Sequence, residues 1–252
     1  MRQRTNRFLY ALALALTASL VTAAVAIGAS ISGDGGPNDL TGTSQRDWIA
    51  AKGGDDTVKA LAGGDLVVAG AGNDTVDGGA GCDRIFAGPG NDALEGGAGF
   101  SFRRARCERL HGGAGNDTSN GGIGRDFMSG GRDDDHQSGG PGSDKIFANQ
   151  GRDVSDGGPG DDVLWALSRK DVTAIGDTEG DELYGAEGRD RFLVRDGEVD
   201  LVHCGDDRDL VLADQFDQID TDCERVLRRD VTSLDQVDDG EENSTEDPTP
   251  AG

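Results

Sequence analysis

AGAGNDTVD, GGAGCDRIF and AGPGNDALE, which run without a break from Ala69 to Glu95, are three units of nine residues written on one template. Glycine stands at places two and four, aspartate at place six and an aliphatic residue at place eight. Glycine lets a six-residue loop take φ > 0 and turn its carbonyl oxygens inward with no Cβ in the way, and the aspartate adds a hard, charged oxygen. Carboxylate plus carbonyl oxygens suit calcium. The last three residues make a very short strand whose middle side chain faces opposite to its neighbours. One unit is therefore one loop and one strand, and two units return the chain to its starting side. Residues eighteen apart should stack on adjacent coils, roughly 4.8 Å apart. An ion can then lie between the loop of one coil and the loop of the next.

The nonapeptide GGxGxDxUx resembles the RTX, or haemolysin-type, calcium-binding repeat, and the resemblance covers roughly residues 33–193. It implies an all-β fold, a right-handed parallel β-roll or β-helix solenoid of nonapeptide repeats, with several calcium ions in its turns. In the first block, 27–95, the sixth places are Asp47, Asp56, Asp65, Asp74, Asp83 and Asp92, and the eighth places are Ile49, Val58, Val67, Val76, Ile85 and Leu94. Residues 33–41, GDGGPNDLT, read as a worn first unit. The glycines are less regular: GTSQRD lacks one at place four, and AKGGDD and AGAGND lack one at place one. The best calcium loops of this block are therefore expected to end at Asp74, Asp83 and Asp92, with Gly72, Gly81 and Gly90 at place four.

The unit at Gly96 runs on as GGAGFSFRRARCERLH, longer than its neighbours and basic through Arg103, Arg104, Arg106 and Arg109. Residues 96–111 read as an insertion loop, either an anion or partner contact or a solvated loop near an acidic surface. Phase resumes in a second block, 112–193, at Asp117, Asp126, Asp135, Asp144, Asp153, Asp162 and Asp171. Its two alternating sides differ. One side carries GGIGRD, GGPGSD and GGPGDD, with Met128, Ile146 and Leu164 at place eight. The other carries GGAGND, GGRDDD, ANQGRD and ALSRKD, with Ser119, Gln137, Ser155 and Thr173. A buried hydroxyl or amide needs a partner, so packing should weaken there. Calcium is expected mainly along Asp126, Asp144 and Asp162, with Gly124, Gly142 and Gly160, and with Asp117 and Gly115 in addition. Asp181 and Asp190 continue the phase with too few glycines to be assigned as sites. Residues 194–228 are expected to cap the stack. Their D-x-V-x-C-G start and D-C-E-R-V finish resemble the ending of many secreted bacterial proteins with these repeats. The acidic, proline-containing stretch 229–252 is expected to be disordered.

Composition agrees. Gly 42 with 5% aromatic residues in a chain of 252 is poor material for a globular core, whereas a solenoid needs only a thin stack of aliphatic rungs. The formal charge of −24, from 48 acidic against 24 basic residues, argues against nucleic acid, whose binders carry a basic face, and favours cations. Residues 1–26 read as a signal peptide, with Arg2, Arg4 and Arg7 before an apolar run and Ala24-Val25-Ala26 at the cleavage point. The alternative is an uncleaved membrane anchor. After cleavage no membrane contact is expected, since no second hydrophobic span follows. Cys82, Cys107, Cys204 and Cys223 allow three disulfide connectivities. Pairing Cys82 with Cys107 and Cys204 with Cys223 is preferred, because Cys107-Glu108-Arg109-Leu110 echoes Cys223-Glu224-Arg225-Val226; free thiols are the alternative. Zinc is not expected without a CxxC pair or spaced histidines.

Catalysis finds little support. HExxH, GxSxG and a Walker loop are absent, and GxGxD never extends to GxGxxG. His111, His136 and His203 are scattered, the acid pairs Asp55-Asp56 and Asp161-Asp162 point apart, and the repeats begin almost at the export signal. The expected function is that of a secreted or cell-surface calcium-binding protein, not an enzyme, whose extracellular partner is left unidentified. An adhesin or surface module is the second reading, on outward Phe147 and Trp165, eighteen residues apart and so neighbours on one face, with Phe86 on another. A secreted hydrolase is the third.

Overall fold

The computed structural model describes residues 28–98, 108–166, 176 and 180–232, and all regular structure among them is β. Short strands alternate between two long sheets. The first sheet has 11 strands, from Ser30–Ser32 and Trp48–Gly53 through to Arg225–Arg228; the second has 10, from Asp39–Thr41 and Thr57–Lys59 through to Gln218–Ile219. All neighbouring strands are parallel, and Ile49 pairs Val67, which pairs Ile85, so that each coil sits in register on the last. The chain is a parallel β-solenoid, as the nonapeptide period implies.

The eighth places point inward and build the core. On the first sheet Ile49, Val67, Ile85, Leu110, Met128, Ile146, Leu164, Phe192 and Val211 form one continuous buried column. Each such side chain contributes about 1.5–3 kcal/mol when fully buried. Place one also faces inward, where Ala51, Ala60, Ala69 and Ala87 fill the narrow space between the sheets. On the second sheet the column runs Val58, Val76, Leu94, then Ser119, Gln137, Ser155, then Leu183 and Val202, all of them buried. Within the polar stretch Gln137 and Ser155 bond to each other. The Gln137 amide donates to Ser155 Oγ at 3.3 Å and to the Phe147 carbonyl at 3.0 Å, and accepts from the Gly130 N–H at 2.9 Å. Hydrogen bonds offset part of the packing that an aliphatic residue would supply.

Four sequence expectations change. Residues 33–41 form a full unit with Asn38 at place six, since the Asn38 N–H donates to Asp56 Oδ1 at 2.7 Å, and a coil precedes it at Ser30–Ser32, paired with Trp48–Ala50. The insertion is shorter than 96–111. Ala98 bridges Ala80 and Ile123, and Arg109–Ala114 is a strand in register with Arg84–Pro89, so residues on both flanks belong to coils. Residues 201–228 continue both sheets as further coils. Phe86 lies on the same sheet as Phe147, next to His111 at 6.3 Å, because the extra residues of the insertion displace any count made in eighteens.

Outward on the first sheet, Phe147 stacks on Trp165 at 4.3 Å and 7°, with Phe127 at 5.0 Å from Phe147. Arg109 lies over Phe127 and Lys145 over Trp165. Cys204 and Cys223 form a disulfide with a Cα–Cα distance of 5.2 Å, tying the last coils together. Cys82 is also disulfide-bonded. Its expected partner Cys107 lies outside the described residues, as do residues 1–26, Asp171, Thr173 and the tail from 233. No helix among the described residues is long and apolar enough to cross a membrane.

Coil spacing depends on glycine at place four. A Cβ on Gly81, where φ is 150°, would lie 1.5 Å from the Gly63 carbonyl oxygen, whereas one on Gly35 would meet nothing within 4 Å. Gly81→Ala should destabilise the protein by about 1–3 kcal/mol or more and Gly35→Ala by less than about 0.5 kcal/mol, read from denaturant unfolding in the presence of calcium. Equal midpoints for the two variants would contradict the stacking described.

Candidate metal centre

Place six behaves alike along both edges of the solenoid. The Oδ1 of each aspartate accepts the backbone N–H of its counterpart one coil earlier: Asp47 to Asp65 at 2.7 Å, Asp65 to Asp83 at 2.7 Å, Asp126 to Asp144 at 2.7 Å and Asp144 to Asp162 at 2.7 Å on one edge. On the other edge the same bond joins Asp56 to Asp74 at 2.8 Å, Asp74 to Asp92 at 2.7 Å, Asp92 to Asp117 at 2.8 Å and Asp117 to Asp135 at 2.8 Å. These carboxylates are buried. Asp47 Oδ2 accepts the Thr43 N–H at 2.6 Å; the other second oxygens, among them the Oδ2 atoms of Asp74, Asp83, Asp92, Asp117, Asp126, Asp144 and Asp162, have no hydrogen-bond partner.

A half-satisfied buried carboxylate resists ionisation. Burial pushes Asp92 and Asp126 up to about 6, Asp83, Asp117 and Asp144 to about 7, and Asp135 and Asp162 to about 8. The amide donated to each carboxylate opposes the shift. For Asp83, Asp92, Asp117, Asp135, Asp144 and Asp162, the carboxylate one coil back adds to it. At neutral pH the columns therefore need protons or cations between their coils.

The glycines bring the oxygens together. A Cβ at place four would lie 1.9 Å from the Gly72 carbonyl oxygen at Gly90, 1.8 Å from the Gly124 oxygen at Gly142 and 1.5 Å from the Gly142 oxygen at Gly160. Gly72 and Gly115 approach the carbonyls of Gly54 and Gly90 in the same way, at 2.3 and 2.1 Å. At place one, a Cβ on Gly112, Gly139 or Gly157 would come within 2.3, 2.7 and 2.6 Å of the Oδ2 of Asp117, Asp144 and Asp162 respectively. An unpaired buried carboxylate oxygen among backbone carbonyls is a donor set of the hard, all-oxygen type that calcium takes. The residues present fit that ion. Oδ2 and neighbouring loop carbonyls would hold it, and it would neutralise the column and join successive coils.

All the predicted ligands fall in the two columns. Asp83, Asp126, Asp144 and Asp162 lie on one edge; Asp74, Asp92 and Asp117 lie on the other. The carboxylates themselves do not separate the two edges. Asp135, on the edge expected to be poorer, is as buried as Asp117 and has the same unpaired Oδ2. Loop backbone does differ, since Asp133 and Asn149 occupy φ of 72° and 76° where the better loops use glycine; Asp and Asn are among the residues that tolerate it.

Two features escaped the sequence reading. Glu108 takes place six of the coil that carries the insertion: its Oε2 accepts the Asp83 N–H at 2.7 Å and its own N–H donates to Asp126 Oδ1 at 2.9 Å. Its Oε1 is unpaired, and burial raises the group to about 9. The signal was the recurrence of Cys82-Asp83-Arg84 as Cys107-Glu108-Arg109 and Cys223-Glu224-Arg225. Glu224 likewise accepts the Asp209 N–H, at 3.0 Å. The second feature is a ladder at place five of one edge, where the Asn73 N–H donates to Asp55 Oδ1, Asn91 to Asn73 and Asn116 to Asn91, at 2.8–2.9 Å. It runs opposite in sense to the aspartate column, and the repeated Asn-Asp pairs announced it.

Comparison with curated proteins returns no match. A family model for the RTX calcium-binding nonapeptide repeat matches in four copies, at residues 32–67, 68–102, 108–137 and 129–164. These matches span the coils in which the place-six carboxylates are stacked and half-satisfied, and cover half of the chain. Sequence period, parallel coils and family match coincide over the same residues, and the chain belongs to the RTX calcium-binding nonapeptide repeat family.

Proposed function

We propose that this is an exported protein whose β-roll becomes ordered when calcium enters the place-six columns, and that it acts by binding and not by catalysis. The observation that carries the reading is the row of buried Oδ2 atoms with no donor. In the metal-free chain those carboxylates repel one another and resist burial; a divalent ion between coils relieves both, so binding free energy becomes folding free energy. The expected ligating residues are Asp74, Asp83, Asp92, Asp117, Asp126, Asp144 and Asp162, with the carbonyls of their loops. Export follows from the arginine-led apolar segment at residues 1–26, and it would carry the chain to calcium concentrations that extracellular modules bind. A second reading, a calcium-ordered surface or adhesive module, draws on the half-buried Phe127 and Trp165, packed about a buried Phe147 with Arg109 and Lys145 beside them. Oligomers retained under calcium would favour it.

Circular dichroism of residues 27–252 during a calcium titration should show a cooperative gain of β signal between roughly 0.1 and 1 mM. A spectrum indifferent to both calcium and chelator would remove the mechanism. Asp144→Ala should weaken the transition by about tenfold in midpoint, near 1.4 kcal/mol, and Asp135→Ala by less; equal effects would place an ion at Asp135 as well.

Without metal, pH should act in a definite direction. Folded-state values near 6 to 8 for Asp92, Asp126, Asp83, Asp144, Asp135 and Asp162 exceed the unfolded value of about 3.9. The folded chain thus binds protons more tightly than the unfolded one. The resulting stability is full below about pH 4 and is lost as pH rises through 6 to 8. In chelator the protein should be ordered at pH 4 and largely disordered at pH 8, with calcium restoring order at pH 8. Greater order at pH 8 than at pH 4 under chelation would reverse the assignment.

A further inference from the structure

The family match ends at residue 164, and beyond it the chain carries an acidic cluster of a different make. In the loop Asp196-Gly197-Glu198-Val199-Asp200 all three acids are buried, at 0%, 5% and 0% exposure. One carboxylate oxygen from each lies within 4.8 Å of the others. A nonapeptide loop places one buried carboxylate at this edge, at place six. This loop is one residue longer, since Asp200 accepts the N–H of Asp181 across a separation of 19, and it adds two more acids within the same turn.

The surrounding bonds hold the loop in this shape. Asp196 Oδ1 accepts the Glu198 N–H at 3.0 Å, Asp214 Oδ2 accepts the Gly197 N–H at 2.9 Å, and Asp217 accepts N–H groups from Asp214 at 2.7 Å and Asp200 at 3.4 Å. Asp200 has given Oδ1 to Asp181, and its Oδ2, fully buried, has no hydrogen-bond partner. Two arginines stand close but turn to backbone oxygens. Arg195 donates to the carbonyls of Ala213 and Leu227, and Arg228 to those of Asp214 and Asp217.

We infer that Asp196, Glu198 and Asp200 form a calcium site in the C-terminal coils, beyond the repeats that the family model matches, in which Asp200, at place six of the column, supplies Oδ2 as the innermost ligand and Asp196 and Glu198 add two carboxylates that a nonapeptide loop lacks. The donors are all carboxylate oxygens, with no nitrogen or sulfur to favour zinc, and three of them converging from one turn suit a large, hard divalent ion. Asp196, Asp181 and Asp217 all press electrostatically on Asp200, and the ion would offset that repulsion. Unlike a repeat ion, which joins two coils, this one is held within a single turn. It would clamp the last coils beside the Cys204–Cys223 disulfide, and the inference does not depend on the repeat loops being occupied.

Two measurements on the chain from residue 27 test it. Equilibrium dialysis with calcium should find one ion fewer per chain in Glu198→Gln and in Asp196→Asn than in the unaltered protein, and the ion lost should differ from the one lost in Asp144→Asn, so that the double variant Glu198→Gln with Asp144→Asn loses both. An unchanged ion count in both cap variants overturns the site. Should the variants fail to fold, a calcium-loaded crystal structure of the unaltered protein decides. Density for an ion between Asp196, Glu198 and Asp200 supports the site, and ions in the repeat loops with none there overturns it. An ion in the cap with none in the repeat loops would keep this site and sink the repeat-loop reading, so the two failures are distinguishable.

Discussion

Each coil is fastened to the last by a carboxylate oxygen that accepts the amide of its own counterpart one turn back, as in Asp126 to Asp144 and Asp144 to Asp162. The bond fixes register, because only a shift by a whole turn brings the next acceptor to the next amide. It also creates the molecule's electrostatic difficulty. Carrying the carboxylates inward strips them of water and leaves one oxygen of each without a donor. The same side chain that specifies the fold therefore leaves a buried oxygen that a proton or a cation would satisfy. On the function proposed, calcium dependence would follow from the structural bond itself and need no separate binding device.

Glycine and the thin core follow from that constraint. Coils close enough for an aspartate to reach its neighbour's amide leave no room for a Cβ above the carbonyl at place four. The space between the sheets admits one aliphatic rung and a small residue at place one. Stability is consequently shared among nearest-neighbour contacts of similar size, which explains how Ser119, Gln137 and Ser155 can replace three aliphatic rungs in succession. Their loss of apolar contact stays local, and the Gln137 amide finds acceptors and a donor within its own rung and the next.

Most of this was legible in the sequence, because a period of nine with fixed glycine and aspartate places states both the loop and the strand. What escaped did so for identifiable reasons. Glu108 performs the work of aspartate with one methylene added, and Asn38 occupies place six with an amide that accepts within its own loop, so a search for aspartate alone passes over both. The insertion hid the continuity of Phe86 with Phe147 by breaking the count of eighteen. The asymmetry of the two edges was read from glycines and eighth-place polarity. The structure places equal carboxylates on both, and locates the difference in the backbone at Asp133 and Asn149 and in the asparagine ladder at place five. The three-acid turn at Asp196 could not be found by a template, since it departs from the template in length and in the places of its acids.

The tryptophans have a use beyond packing. The chain contains 2. Trp48 stands near one end of the stack with 53% of its surface in water, and Trp165 lies flat on Phe147 more than a hundred residues later. A solenoid whose coils touch only their neighbours has to begin assembling somewhere and zip in one direction or both. Because the indoles sit in such different surroundings, their emission would respond to separate stretches of that process, and the order in which the signals change would reveal from which end the ribbon winds.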